Sequence, residues 1–172
     1  LRFAESIHAP YVAFCGTASS GINDARSIPA NLMKECVKAI SSLDLLMVFI
    51  GNSYPFTVVN DLDRGHSHEE LLPPDDPNVL SAIDQVSVPG SLYLLQHASA
   101  VIACDSAMLL ASWKLRKPTA FLCSRQIWKN LEVDGVVPAT GYRFGIHYRE
   151  NVNILFDEFT PERLLEFVLN IR

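Results

Sequence analysis

The chain alternates between two patterns of hydrophobic residues. Six short runs are predominantly apolar at successive positions, which is typical of strands buried on both faces of a parallel sheet. These runs cover residues 11–15, 45–50, 79–86, 100–104, 119–122 and 153–156. Between them, apolar side chains recur at the spacing of one helix face, which predicts helices over 29–40, 92–98, 108–115 and 161–171.

Residues near the predicted helix ends agree with this assignment. Pro29 and Pro161 suit the first turn of a helix, because proline lacks an N–H that would be unpaired there. Ser91 and Thr160 are the predicted N-caps of the helices that follow them. Pro118 interrupts the helical pattern before the next strand.

Strands that alternate with helices predict an α/β fold. We expect a Rossmann-like, doubly wound sheet of about six mostly parallel strands with helices on both faces, a three-layer α/β/α arrangement. Residues 63–78 and 124–149 lack either pattern and are predicted to be long loops. A length of 172 residues suits a single domain spanning 1–172.

Composition narrows the functional classes. A net charge of −5 with scattered basic residues argues against nucleic-acid binding. The four cysteines show no CxxC spacing, so we expect buried, reduced thiols and a cytoplasmic location. No apolar run approaches the roughly 20 residues of a membrane span, and no signal peptide is visible. The chain begins with Leu1, which favours a segment of a longer protein.

Two patterns in the central polar region invite a metal interpretation. Residues 66–70, His-Ser-His-Glu-Glu, include side chains that could ligate zinc. Residues 61–63, Asp-Leu-Asp, match a triplet seen in some metal-dependent sugar transferases. The first has no distant partner ligand, and three-residue patterns are frequent by chance. We therefore expect no metal site.

Candidate chemistry lies in two turns that each follow a buried strand. Residues 16–21, Gly-Thr-Ala-Ser-Ser-Gly, form a loop of small residues that lets backbone N–H groups approach a ligand, although they match neither GxGxxG nor a P-loop. Asp105 and Ser106 precede a predicted helix, where they could bind phosphate or only cap the helix. If their strands are neighbours, both turns open onto one crevice, the default ligand site of such sheets.

The order of these motifs resembles the C-terminal half of a GT-B glycosyltransferase of the heptosyltransferase family, glycosyltransferase family 9. The Pro-Gly-Ala-Ser-like loop and Lys-Arg-Trp-Pro stretch of that family correspond to residues 15–19 and 26–29. Its Ile-Gly-Gly corresponds to 50–52. Its Asp-Thr-Gly-Pro-Met-His-Leu-Ala signature corresponds to 105–112, followed by Lys-Pro at the same spacing. The resemblance covers residues 11–171.

The resemblance implies that a nucleotide-sugar donor binds as substrate, with no cofactor. Thr17 and Ser19 would lie near the donor phosphates, in the loop that Gly16 opens. Arg26 stands where the family has lysine, so it would place a cation beside the diphosphate. Arginine keeps the charge of lysine but not its geometry.

The later signature implies further contacts with the donor. Asp105 would contact the donor sugar, and Ser106 with the Ala107 N–H would hold phosphate at the helix start. The sequence departs from the family at two positions. Leu110 replaces a histidine, which removes a polar contact, and Ala107 replaces a glycine, which adds a methyl group.

The family's catalytic base lies in the N-terminal half, so the resemblance implies no catalytic residue in this chain. The chain would be the C-terminal domain of a longer two-domain protein, whose missing domain holds the acceptor site. The implied reaction is metal-independent displacement of a nucleoside diphosphate by an acceptor hydroxyl. Two alternatives remain open: a degenerate domain of this fold that serves as a scaffold, and a small stand-alone nucleoside- or nucleotide-processing enzyme.

Overall fold

The computed structural model describes residues 2–17, 26–51, 73–131 and 151–171. Within these ranges six parallel strands form one sheet in the order β3-β2-β1-β4-β5-β6. The strands are β1 (Tyr11–Cys15), β2 (Leu46–Phe49), β3 (Val79–Ser81), β4 (Ala100–Ala103), β5 (Thr119–Cys123) and β6 (Val152–Leu155). The predicted α/β fold with a doubly wound parallel sheet is confirmed.

The described residues also form helices before, between and after these strands. They are α1 (Arg2–Glu5), α2 (Ala30–Ser41), α3 (Val88–His97), α4 (Ala107–Lys114), α5 (Arg125–Leu131) and α6 (Pro161–Leu169). A 3₁₀ turn, Phe156–Glu158, joins β6 to α6. None of the helices in the described ranges is long and apolar enough to cross a membrane.

The core has two halves, one on each face of the sheet. Val12 and Phe14 of β1 point to the half that includes buried residues of α2 and α6. Ala13 and Cys15 point to the other half, with buried residues of α3, α4 and α5. Because successive side chains of a strand alternate between faces, the continuous apolar runs follow from coverage on both sides.

Most predicted boundaries agree with the structure to within one or two residues. Thr160 caps α6 as predicted, since its Oγ1 accepts a hydrogen bond from the Arg163 N–H at 3.2 Å. The four cysteines are free and buried, as expected. The strand predicted over 79–86 is wrong in length, because the chain turns after Ser81 and Asp84 adopts a positive φ of 56°.

The predicted N-cap of α3 is wrong. Ser87 caps this helix rather than Ser91, and its Oγ accepts a hydrogen bond from the Gly90 N–H at 3.4 Å. Pro89 therefore lies inside the first helical turn, where its missing N–H costs nothing. Proline followed by glycine also occurs in turns, which is why the sequence placed the helix start four residues late.

The predicted loop over 124–149 is wrong for its first part. Ser124 accepts a hydrogen bond from the Ile127 N–H through its Oγ at 3.2 Å, and α5 follows from Arg125. Ile127 is buried against the sheet and Trp128 packs partly buried against the same half of the core, so these two side chains anchor the short helix. Residues 132–149, together with 63–72 of the other predicted loop, lie outside the described ranges.

Candidate functional site

The carboxyl ends of the central strands finish level along one edge of the sheet. Backbone hydrogen bonds continue past the strands: the Cys104 N–H donates to the Cys15 carbonyl at 3.0 Å, and the Ile50 N–H donates to the Phe14 carbonyl at 2.9 Å. The chain passes from β1 to β2 on one side and reaches β4 on the other. This reversal is the topological switch point at which open α/β sheets bind ligands.

The two predicted turns are neighbours at this switch point. Cys15 pairs with Ala103 in the register of β1 and β4, so Gly16 and Asp105 both begin just beyond the paired residues. The chain also returns to this edge before α2, because the Ile28 N–H donates to the Gly16 carbonyl at 2.8 Å. That return places Arg26 beside the turn after β4.

Arg26 and Asp105 form a partly buried ion pair. The Arg26 Nε donates to Asp105 Oδ2 at 3.1 Å, and Nη2 donates to the Asp105 backbone carbonyl at 2.7 Å. Their side chains are 28% and 13% exposed, respectively. Two donors on one residue fix the plane of the guanidinium, so the cation is held at a defined position on the edge.

Ser106 occupies the N-cap position of α4 without capping it. Its side chain accepts no hydrogen bond from the helix. The Ser106 Oγ is buried and has no hydrogen-bond partner among the described residues. Burial raises the pKa of the neighbouring Cys104 thiol to about 12, and a contact with Ser106 lowers that pKa by a smaller amount. This contact lacks hydrogen-bond geometry, so the Ser106 hydroxyl remains unsatisfied.

Ala107 is the first helical residue after this serine, and it is exposed. The first turn of α4 is therefore accessible to solvent at its N-terminal end. Unpaired N–H groups and the helix dipole favour an anion at such a position. A buried polar group without a partner costs about 1–3 kcal/mol, so an acceptor or donor supplied from outside would recover stability there.

Thr17 and Gly51 lie next to each other on the other side of Gly16. A Cβ added to Gly51 would be 3.4 Å from Thr17 Oγ1, so the carboxyl ends of β1 and β2 approach closely. The Asp84 N–H donates to the Gly51 carbonyl at 3.3 Å and brings the turn after β3 to the same edge. Ser19 lies outside the described residues.

Sequence reasoning did not assign Gly51 and Asp84 to the site. A signal for Gly51 was available, because it directly follows the strand predicted over 45–50, whereas Asp84 lay inside the strand predicted over 79–86. Their roles depend on strand order, however, and order is not evident from an apolar run. Within the described ranges, no group of three or more His, Cys, Asp or Glu side chains could hold a metal ion. The 61–63 and 66–70 motifs lie outside those ranges.

Cavities of different size lie at the two ends of the strands. A narrow apolar cavity of about 10 Å³ lies beside Gly16 and Thr17, which is room for about one water molecule. A larger cavity of about 610 Å³ lies at the amino ends of the strands, lined by Asp44 and mainly apolar residues, with no cation among the lining residues described. Because phosphate requires cations or N–H donors, charge favours the carboxyl edge over the larger volume.

The strand order and the helix start at the switch point define a class, the Rossmann-like α/β domains. In particular, the fold is that of solved heptosyltransferases. Heptosyltransferase II of E. coli superimposes with a TM-score of 0.63 at 14% identity, over 99% of this chain and 48% of that one. E. coli heptosyltransferase WaaC, solved with ADP, gives a TM-score of 0.64 at 10% identity, over 97% of this chain and 46% of that one.

A family 9 glycosyltransferase from Veillonella parvula gives a TM-score of 0.64 at 10% identity, over 96% of this chain and 47% of that one. The chain thus spans slightly less than half the length of these neighbours. No protein-family model matches the sequence, and no curated protein matches it either. The likeness therefore rests on the fold.

Proposed function

We propose that this chain binds a nucleotide-diphosphate sugar and is the C-terminal, donor-binding domain of a metal-independent GT-B glycosyltransferase of heptosyltransferase type. The observation that best supports this function is the unsatisfied, buried Ser106 Oγ at the exposed start of α4. The Arg26 guanidinium is hydrogen-bonded to Asp105, the residue that precedes Ser106. Hydroxyl, helix N–H groups and cation together suit a diphosphate.

This arrangement also suits the chemistry of donor cleavage. Negative charge develops on the phosphate of the leaving nucleoside diphosphate as the bond to the sugar breaks. N–H groups and a cation that are already in position stabilise that charge without reorganisation. In this chain the first turn of α4 would supply the N–H groups and Arg26 the cation. Thr17, Ser19 and the Gly16 backbone would contact the diphosphate from the β1 side.

Two structures of one neighbour, E. coli heptosyltransferase WaaC, support a diphosphate ligand for this fold, since one contains ADP and the other ADP-2-deoxy-2-fluoro heptose. The whole protein would need a second domain to supply the acceptor site and the catalytic base. We therefore expect the isolated chain to bind a donor without transferring the sugar. Turnover by the isolated chain would contradict this division.

The test is calorimetric titration of the chain with ADP, UDP, GDP and CMP and their sugar forms. We expect the nucleotides of one base to bind. Ser106→Ala should weaken their binding roughly three- to tenfold, which corresponds to the loss of a hydrogen bond of about 1 kcal/mol or slightly more. Ser106→Ala should leave thermal stability unchanged or higher, because the Oγ has no partner among the described residues.

Ser87→Ala provides the matched control, because Ser87 is also an N-cap serine but its Oγ does accept the Gly90 N–H. It should lower stability by about 1 kcal/mol and leave nucleotide affinity unchanged. A folded chain that binds none of these nucleotides would refute the proposed function and favour the scaffold alternative.

A further inference from the structure

We infer that Asp105 is a specificity-determining residue that limits the negative charge the site accepts, so that the site retains a diphosphate ester and releases the free diphosphate. The inference rests on the proposed function and concerns the same site. It goes beyond a contact with the donor sugar, because it assigns the carboxylate a role toward phosphate charge.

The first step is the position of the carboxylate. Asp105 directly precedes Ser106, the N-cap of α4, and therefore lies at the end of the helix where an anion is favoured. Its Oδ2 accepts the Arg26 Nε and its backbone carbonyl accepts Nη2, so two donors of the site's cation already face an acceptor. A phosphate must share Arg26 with an anion that belongs to the protein.

The second step is the weak screening of this charge. The Asp105 side chain is only 13% exposed. The thiols of Cys104 and Cys123 respond to it: burial raises both pKa values to about 12, and the Asp105 carboxylate adds to the increase in each case. The charge of Asp105 therefore acts at the carboxyl ends of both β4 and β5, and at Cys104 the Arg26 guanidinium opposes part of its effect on the pKa. An anion bound at the start of α4 would lie within the same field.

The third step is the charge of the possible ligands. Each phosphate of a nucleotide-diphosphate sugar carries one ester and one anhydride linkage, which leaves it one negative charge. The terminal phosphate of a free nucleoside diphosphate carries only the anhydride linkage, so its charge is about −1.5 to −2 at pH 7, as for other singly substituted phosphates. One partly buried carboxylate opposes the extra charge, and a difference of roughly tenfold in affinity is within the range of such an interaction. Asp105 would therefore favour donor over product.

The experiment compares wild type with Asp105→Asn, which keeps the side-chain shape and an acceptor for Arg26 but removes the charge. The probes are inorganic pyrophosphate, ADP and ADP-glucose, or the corresponding pair for whichever base binds. We expect Asp105→Asn to bind pyrophosphate and the free nucleoside diphosphate roughly tenfold more tightly. Affinity for the sugar nucleotide should rise less, so the preference for the donor falls.

Asp44→Asn is the matched control. It removes the same charge in the turn before β2, at the opposite end of the sheet, and asparagine tolerates the positive φ of 53° there. It should change neither the affinities nor their ratio. Arg26→Gln should weaken all three probes. If Asp105→Asn does not fold by thermal melting, Asp105→Ser removes the same charge with a smaller side chain.

Weaker pyrophosphate binding by a folded Asp105→Asn would overturn the inference, because it would show that the carboxylate only positions Arg26. An unchanged ratio between sugar nucleotide and free diphosphate would also overturn it. The two proposals fail separately. If nucleotides bind but Asp105→Asn does not bind pyrophosphate more tightly, only the proposed role of Asp105 is refuted. If Asp105→Asn binds pyrophosphate more tightly but no variant binds a nucleotide, the donor-binding function is refuted and the role of Asp105 is supported.

Discussion

Replacing Gly16 by alanine should destabilise the protein in the absence of any ligand. A Cβ at this position would collide with Cε1 of Phe14 and lie 3.0 Å from its Cζ. The ring is held in place, because Phe14 is only 2% exposed and packs on Phe49 with ring centroids 4.6 Å apart. Overpacking of this kind costs about 1–3 kcal/mol. Reduced freedom of the unfolded chain offsets about 0.4–1 kcal/mol of that cost.

The midpoints of these ranges give a net loss for Gly16→Ala of about 1–1.5 kcal/mol, which in a domain of this size lowers Tm by roughly 2–6 °C. Thermal melting followed by circular dichroism measures it. Gly51→Ala is the control, since its Cβ would make only an ordinary contact of 3.4 Å with Thr17 Oγ1. Adding Phe14→Leu to Gly16→Ala should recover part of the loss by opening space. An unchanged Tm for Gly16→Ala would refute this packing argument and leave ligand approach as the reason for the glycine.

Three further outcomes follow from local contacts. Thr160→Ala removes the cap on the Arg163 N–H and should cost about 1 kcal/mol in chemical denaturation, whereas an unchanged midpoint would show that the cap is dispensable. Burial raises the pKa of Tyr11 to about 12, above its unfolded value near 10, and its hydroxyl donates to the Leu94 carbonyl at 2.6 Å. The neutral hydroxyl of Tyr11 therefore contributes stability below pH 10, and this contribution is lost as the pH rises toward 12. Tyr11→Phe should make the loss of stability at alkaline pH less steep; an identical loss in both proteins would contradict this. The buried cysteines should not react with a thiol reagent at pH 8 until denaturant is added, since burial raises the pKa of Cys104 to about 12; rapid labelling of the native chain would show that they are exposed.

The strands were predictable because a fully covered parallel sheet needs side chains that are apolar on both faces. β1 and β4 show this directly, with every residue buried. β3 is an edge strand with Leu80 partly exposed, and it pairs over only three residues. The apolar pattern beyond Ser81 reflects Ala82, which is buried in a turn. Burial in a turn and burial in a strand leave the same signal in the sequence.

The site was harder to predict than the fold. Apolar runs identify strands but not which strands pair, and the two turns meet only because β4 lies beside β1. Arg26 and Asp105 are 79 residues apart, and no periodicity links them. The resemblance to a family implied that Arg26 lies beside the diphosphate and that Asp105 contacts the donor sugar, but not that the two residues contact each other. Their ion pair depends on how the chain returns to Gly16 through the Ile28 N–H, which no local rule encodes.

The predicted site residues differ in how well the fold alone explains them. Gly16 is explained by the Phe14 ring, and Arg26 and Asp105 are explained in part by each other. Ser106 is different, because an alanine there would keep the same backbone and remove a buried hydroxyl that has no partner among the described residues. Sequences tend to be consistent with their structures except where a function requires otherwise. Ser106 therefore discriminates between a ligand-binding domain and a scaffold more sharply than the charged pair does, and its substitution deserves to be measured first.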